Sequence, residues 1–287
     1  MSWLAERRAF RRYHRLNDDA WLRTLLDSIE GRAAVPMPGF PSAELQAGFV
    51  GSSNGDAIRE AWNFYMLMSE CRQQYGAVLG RGSHVLDFGC GWGRFARMFL
   101  RDVPETNIWC ADSWDLALNT CAETGVPGRM IQLQQMPPSM LPDSKFDTAF
   151  AYSVFSHLSP AAHRAWRAEF ARVMKPGGLI FITTQARWFI DNCQRLRDNP
   201  AEVTSYWHEL LAKSFIDYDE SLAHYDRGEF VYAANGGGPS LPPEFYGDAV
   251  VPRGFFEAEW SDEFEVLQFI ADHQRFEQAV AIMRRRA

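Results

Sequence analysis

Four residues between positions 87 and 93 have the types and spacing to hold a small charged ligand. They are Asp87, Gly89, Gly91 and Gly93 in the run Asp87-Phe88-Gly89-Cys90-Gly91-Trp92-Gly93. A glycine-rich turn after a buried strand is where open parallel sheets bind nucleotides. The dinucleotide fingerprint G-x-G-x-x-G fails here, because the glycines alternate and Arg94 stands where the third should be. Charge separates the ligands further. A carboxylate at Asp87 repels a pyrophosphate, and it attracts a ligand carrying an ammonium and a sulfonium. Gly89 and Gly91 let backbone approach the ligand without Cβ clashes. The helix start after Gly93 offers free N–H groups to a ligand carboxylate.

A second acid, Asp112, lies about 20 residues beyond the turn, at the end of the next apolar run. There it can accept hydrogen bonds from two ribose hydroxyls, or cap the following helix, a task open to Ser113 as well. His157 follows a later apolar run and is a candidate general base. The same ring could instead bond backbone and shape the turn before Ser159-Pro160. Trp92 reads equally as a lid over the ligand or as packing against a helix over 56–79.

The elements that must carry these residues alternate. Short apolar runs at His84–Phe88, Asn107–Ala111, Arg129–Leu133, Phe146–Tyr152 and Gly178–Thr184 read as strands. Helices are expected over Arg94–Asp102, Trp114–Thr124 and Ala161–Met174, and Lys175-Pro176-Gly177-Gly178 reads as a turn. Strands separated by helices predict a parallel sheet covered on both faces. Before them, residues 3–30 carry helical spacing, 31–54 read as a Pro/Gly/Ser-rich loop, and 56–79 form a helix stopped by Gly80. After them, 187–250 break the rhythm and are rich in aromatics, among them Trp207, Tyr218, Tyr225, Tyr232 and Tyr246, with His208 and His224. Such a segment between core strands suits a substrate lid, or a small helical cap packed on its own rings. Gly236–Gly238 reads as a hinge or a surface turn. A short helix at Phe255–Trp260 and the apolar runs Phe264–Ile270 and Ala279–Met283 close the chain as an antiparallel hairpin.

Composition excludes several classes. The 287 residues are 47% hydrophobic with net charge −7, enough for a packed core. The first 16 residues carry five arginines against Glu6, so the remaining chain stands at −11. An acidic body disfavours nucleic acid as substrate, and the basic start reads as a solvated helix face or an anionic docking surface. No membrane span or secretory signal is expected. Five cysteines without a C-x-x-C predict free, mostly buried thiols, a reducing cytoplasmic setting and no metal site.

The run Val85-Leu86-Asp87-Phe88-Gly89-Cys90-Gly91-Trp92-Gly93-Arg94 resembles the first motif of class I S-adenosylmethionine-dependent methyltransferases. Asp112 follows in order, then Leu141-Pro142-Asp143-Ser144-Lys145-Phe146-Asp147, Tyr152-Ser153-Val154-Phe155-Ser156-His157-Leu158 and Arg172-Val173-Met174-Lys175-Pro176-Gly177-Gly178. The resemblance covers roughly residues 55–186. It implies a Rossmann-like doubly wound α/β fold with a seven-stranded sheet, mostly parallel, whose last strand is antiparallel. It implies four segments: N-terminal helices and loop over 1–54, the cofactor-binding core over 55–186, a lid insertion over 187–250, and a closing helix and hairpin over 251–287.

By the same resemblance, Asp87, Gly89, Cys90, Gly91 and Gly93 line the methionine part of S-adenosylmethionine. Asp112 holds the ribose, with Ser113 and Trp114 beside the adenine. Many relatives place an Asp after the third strand; here Gln134-Gln135-Met136-Pro137 stands there, leaving Gln135, Met136 or backbone to meet the base. Tyr152 is a further lining residue.

Methyl transfer from a sulfonium is an in-line displacement, and alignment alone is worth about 7–11 kcal/mol. A hydroxyl acceptor also needs its proton taken, a task for His157. No Asn-Pro-Pro-Tyr-like motif for amino-group methylation occurs, and Tyr152-Ser153-Val154-Phe155 leans towards oxygen. The expected activity is O-methylation of a small molecule or glycan. The alternative is a scaffold that keeps the fold and the cofactor without catalysis.

Overall fold

A computed structural model describes residues 12–237 and 241–287. The arginines before Arg12, and Gly238 of the expected hinge, lie outside the described residues. The main sheet has seven strands in the order β3-β2-β1-β4-β5-β9-β8. They are β1 (Val85–Phe88), β2 (Ile108–Asp112), β3 (Arg129–Gln132), β4 (Phe146–Ala151), β5 (Met174–Thr184), β8 (Phe264–Ile270) and β9 (Ala279–Arg285). β1 pairs in parallel with β2 and β4, β2 pairs in parallel with β3, and β8 pairs antiparallel with β9. This is the expected Rossmann-like sheet. Every residue of β1 is buried, which explains why it is apolar apart from Asp87.

The chain divides into two compact units. The first contains residues 1–134, 140–150 and 173–179. Its helices are α1 (Asp18–Ile29), α2 (Ala43–Val50), α3 (Asn54–Gln74) and α4 (Asp115–Glu123). Its core is aromatic: Phe95 meets Phe64 and Phe150 edge-on at 5.7 and 5.3 Å, and Phe99 stacks on Phe150 at 5.4 Å. A buried polar knot joins α3 to the turn after β1. The Tyr65 hydroxyl donates to Asp102 Oδ2 at 2.9 Å and receives Arg101 Nη2 at 2.8 Å.

Four local expectations give way here. The helical spacing expected over 3–30 is interrupted: Arg12 and Tyr13 are helical, a turn follows, and α1 begins at Asp18, where the Asn17 side chain caps it by accepting from the Ala20 N–H. The expected loop over 31–54 contains α2, capped by Ser42 and closed by Gly51 in the left-handed conformation. α3 ends before Gly80: Gly76 at φ 70° turns the chain so that the Ala77 N–H reaches the Arg72 carbonyl at 2.8 Å. The helix expected over Arg94–Asp102 is a run of turns with a 3-10 helix at Met98–Arg101. There the Arg97 side chain donates to the Gly93 carbonyl at 3.3 Å, the acceptor that an α-helix would give to the Arg97 backbone.

The second unit contains residues 135–139, 151–172 and 180–287. Its helices are α5 (Pro160–Val173), α6 (Arg187–Asp198), α7 (Tyr206–Lys213), α8 (Tyr218–Asp226) and α9 (Arg253–Glu259). β6 (Val231–Ala233) and β7 (Asp248–Val250) form a separate antiparallel pair. The aromatic-rich segment is therefore built mainly of helices. Phe189, Ile190, Cys193 and Leu196 recur at helical spacing on α6 and pack with Leu211, Phe215, Val231 and Val250. β5 is longer than its expected Gly178 start, since the Lys175-Pro176-Gly177-Gly178 run joins the strand, with Gly177 at φ 80°.

Candidate functional site

β1 delivers Asp87 to the glycine turn. Gly89, Gly91 and Gly93 all adopt positive φ, at 77°, 52° and 76°, a conformation that side chains rarely tolerate. The turn is pinned from β2, where the Ala111 carbonyl accepts from the N–H groups of Gly89 at 2.8 Å and Cys90 at 3.2 Å. Asp112, at the end of β2, completes the frame. Its Oδ2 accepts from the Gly91 N–H and its Oδ1 from the Trp114 N–H, both at 2.9 Å. One carboxylate thus sets the glycine turn and starts α4, whose N-cap Trp114 has no side-chain capping bond of its own. The helix-cap and ligand readings of Asp112 are compatible, because each carboxylate oxygen keeps a second lone pair.

Asp87 is 2% exposed, and its Oδ2 has no hydrogen-bond partner among the described residues. Burial raises its pKa well above the ordinary carboxylate value. Asp112 adds to the rise, while Arg94 and a backbone bond from Ala96 oppose it. A buried carboxylate oxygen left bare beside a turn of positive-φ glycines fits the ammonium of an amino-acid ligand.

The glycines divide their work. A Cβ on Gly93 would lie 2.5 Å from Val126 Cγ1 and 3.1 Å from Cys121 Sγ, so this position answers to packing. Among the described residues, a Cβ on Gly91 would meet only Phe49 Cδ1, at 3.5 Å. Cys90 is buried, and burial with hydrogen bonding to Cys110 holds its thiol protonated. Only its backbone suits ligand contact. Ser113 is exposed, and its carbonyl accepts from Gln132 Nε2 at 3.0 Å. Trp114 is half exposed and leans on Phe49, with ring centroids 4.8 Å apart. Trp92 is 1% exposed, with Phe40 and Arg97 as ring neighbours, so it is a packed core residue and not a lid. Phe49 escaped the sequence reading: two phenylalanines nine residues apart in a Pro/Gly/Ser-rich stretch carry no periodic signal.

The remaining candidates belong to the second unit. The Gln135 backbone carbonyl accepts from Trp166 Nε1 at 2.9 Å. Met136 is 42% exposed. Tyr152 directly follows β4 and is half-buried. His157 stacks flat on Tyr246, with centroids 4.8 Å apart and planes 7° apart. Its Nδ1 lies 2.9 Å from the Gly247 carbonyl and 3.6 Å from Asp248 Oδ1. A backbone carbonyl only accepts, so Nδ1 carries the proton and Nε2 keeps its lone pair. Asp248 is fully buried; its Oδ2 receives Asn235 Nδ2 at 2.6 Å, and its Oδ1 has no hydrogen-bond partner among the described residues. Asp248 too went unread in the sequence, as one acid inside the apolar run Tyr246–Val251.

Several aromatic-segment residues serve structure. Tyr218 donates to Asp191 at 2.8 Å, Tyr232 donates to the Pro243 carbonyl at 2.8 Å, and His224 pairs with Glu229. Among the described residues no cluster could hold a metal ion, and no helix is long and apolar enough to cross a membrane. All five cysteines are free and buried.

This fold and this turn are similar to those of class I S-adenosylmethionine-dependent methyltransferases. Residues 85–178, about a third of the chain, match the family model described as a methyltransferase domain. An O-methyltransferase of Pyrenophora dematioidea is 28% identical over 134 residues, which are 45% of this chain and 47% of the relative. The chain thus matches about half the length of that curated relative. Among solved structures, an S-adenosylmethionine-dependent methyltransferase from Mesorhizobium loti aligns with TM-score 0.45 and 12% identity, covering 74% of this chain and 96% of its own. One from Methanosarcina mazei aligns with TM-score 0.45 and 16% identity, over the same shares.

Proposed function

We propose that the protein is an S-adenosylmethionine-dependent O-methyltransferase acting on a small molecule or glycan in the cytoplasm. The observation that carries the reading is the buried Asp87 carboxylate, with one oxygen unpartnered, beside a glycine turn held open by Asp112. Asp87 binds the ammonium of the methionine part, and exposed backbone of the turn lies along it. Asp112 accepts the ribose hydroxyls on its outward lone pairs, with Ser113 and Trp114 beside the base. When bound, S-adenosylmethionine supplies a methyl group on a good leaving group, so the protein mainly positions the acceptor.

His157 is the proposed base. The Gly247 carbonyl fixes its tautomer, Nε2 takes the acceptor's hydroxyl proton, and Asp248 steadies the imidazolium that forms. The O-methyltransferase relative supports an oxygen acceptor, and the chain's net charge of −7 disfavours a nucleic-acid one. The five free thiols suit a reducing compartment. The test is a product screen by mass across sugars, phenols, carboxylic acids and amines. A gain of one methyl confined to hydroxyl compounds supports the reading; methylated amines alone, or no product from any class, would sink it.

A further inference from the structure

α2 lies wholly outside the residues matched by the methyltransferase family model, yet it brings a side chain against Gly91 of the glycine turn. Among the described residues Phe49 Cδ1 is the neighbour that a Gly91 Cβ would meet, at 3.5 Å, and the Phe49 ring rests on Trp114 at 4.8 Å with planes 47° apart. The two rings therefore close over the turn and over the beginning of α4, the stretch framed by Asp112. An aromatic base inserted between them needs about 7 Å, twice the carbon–carbon contact distance. The observed spacing is smaller, so the pair must part to admit a base and can close on it afterwards.

The rest of α2 is built to move as a piece. Gln46 is its one buried residue. That side chain ties both flanks together, donating from Nε2 to the Pro41 carbonyl at 2.8 Å and accepting on Oε1 from the Asn54 N–H at 2.8 Å. Upstream, the segment is anchored at Gly39, which donates to the Thr124 carbonyl at 2.7 Å and accepts from Arg97 Nη1 at 3.2 Å. Downstream, Gly51 sits at φ 75° with nothing within 4 Å of its Cβ position, and Asn54 follows at φ 53°. A rigid, thinly buried helix between an anchor and a left-handed joint has a low local opening cost.

We infer that α2 is a cofactor lid and that Phe49 is a nucleoside-binding residue, pairing with Trp114 to enclose the base of S-adenosylmethionine; this rests on the cofactor site proposed above. Stacking on the base holds the lid shut, and loss of one aromatic face costs about tenfold in affinity. Two measurements test it, neither of which depends on turnover. Hydrogen–deuterium exchange of the wild-type protein with and without S-adenosylhomocysteine should slow the 44–51 amides at least tenfold on binding. Calorimetry and stopped-flow binding should show Phe49→Ala weakening S-adenosylhomocysteine about tenfold, chiefly through faster dissociation. Wild-type binding without protection of α2, or with Phe49→Ala affinity unchanged, overturns the lid and leaves the site intact. A wild-type protein that binds no S-adenosylhomocysteine overturns both.

Discussion

The Asp112 carboxylate holds the Gly91 N–H on one oxygen, while its other oxygen holds the Trp114 N–H. Removing it therefore frees the glycine turn and the start of α4 together, besides deleting the ribose acceptors. Asp112→Ala should weaken S-adenosylmethionine by well over tenfold, since hydrogen bonds to a charged acceptor contribute about 1.5–3 kcal/mol each. Asp112→Asn keeps one acceptor oxygen and should lose less. Calorimetry decides; unchanged affinity in the alanine variant removes Asp112 from the site.

Asp87 gives a pH signature. Its native pKa is raised by burial and by Asp112. The folded, ligand-free protein therefore holds a proton that the unfolded chain releases, so the stability Asp87 contributes falls as pH rises above the unfolded carboxylate value near 4. Binding an ammonium needs the ionised carboxylate. Cofactor binding should thus release protons and tighten with rising pH, seen by calorimetry in buffers of different ionisation enthalpy. Asp87→Asn should abolish that proton release, leave or raise the stability of the ligand-free protein, and weaken binding. Proton release persisting in that variant would assign it to another group.

For His157 the split between binding and turnover is decisive. His157→Ala should lower kcat by about 100-fold or more with cofactor affinity unchanged. Asp248→Asn should lower kcat less, again with cofactor affinity unchanged. Besides His157, Asp248 faces Tyr246, Tyr232 and Cys193, whose pKa values are all raised by burial and then by the Asp248 charge. None of these is a cation that could take the place of His157. Full activity in His157→Ala would return that ring to a purely structural part.

His163 predicts acid sensitivity. It is fully buried among Phe155, Phe230, Phe255, Phe256 and Trp260, and neither ring nitrogen has a hydrogen-bond partner among the described residues. Burial, with Arg164 and Arg167, lowers its pKa to about 3. Between that value and about 6.5 the unfolded chain takes up a proton that the native state refuses. Stability should therefore fall as pH drops through that window, by about 1.4 kcal/mol per unit. His163→Phe should flatten this slope and stabilise the protein at pH 7 by about 1 kcal/mol or more, measured by denaturant titration at several pH values. An unchanged slope would place the acid sensitivity elsewhere.

The parts of the fold set by local pattern were legible. The buried β1 run, Asp87 within it and the alternating glycines picked out a turn, and strand end and spacing placed Asp112 beside it. What escaped depends on partners far along the chain. α2 hides between Pro, Gly and Ser because its clamps are Gln46 and the Ser42 cap, not an apolar stripe. The Arg94–Asp102 run has helical residues, but the Arg97 guanidinium spends itself on a backbone carbonyl. Trp92 could not be assigned from sequence, since its neighbours Phe40 and Arg97 decide it. The Asp248–His157 contact joins residues 91 positions apart, which no motif spacing records.

β9 occupies an interior place in the sheet between β5 and β8, and Ala279–Met283 are fully buried there. A nascent chain that has emerged only as far as residue 270 has therefore made two sheet edges and nothing to join them. Both are open to mispairing until seven late residues arrive, so a chaperone hold or a translational pause at that stage would act on yield rather than on chemistry.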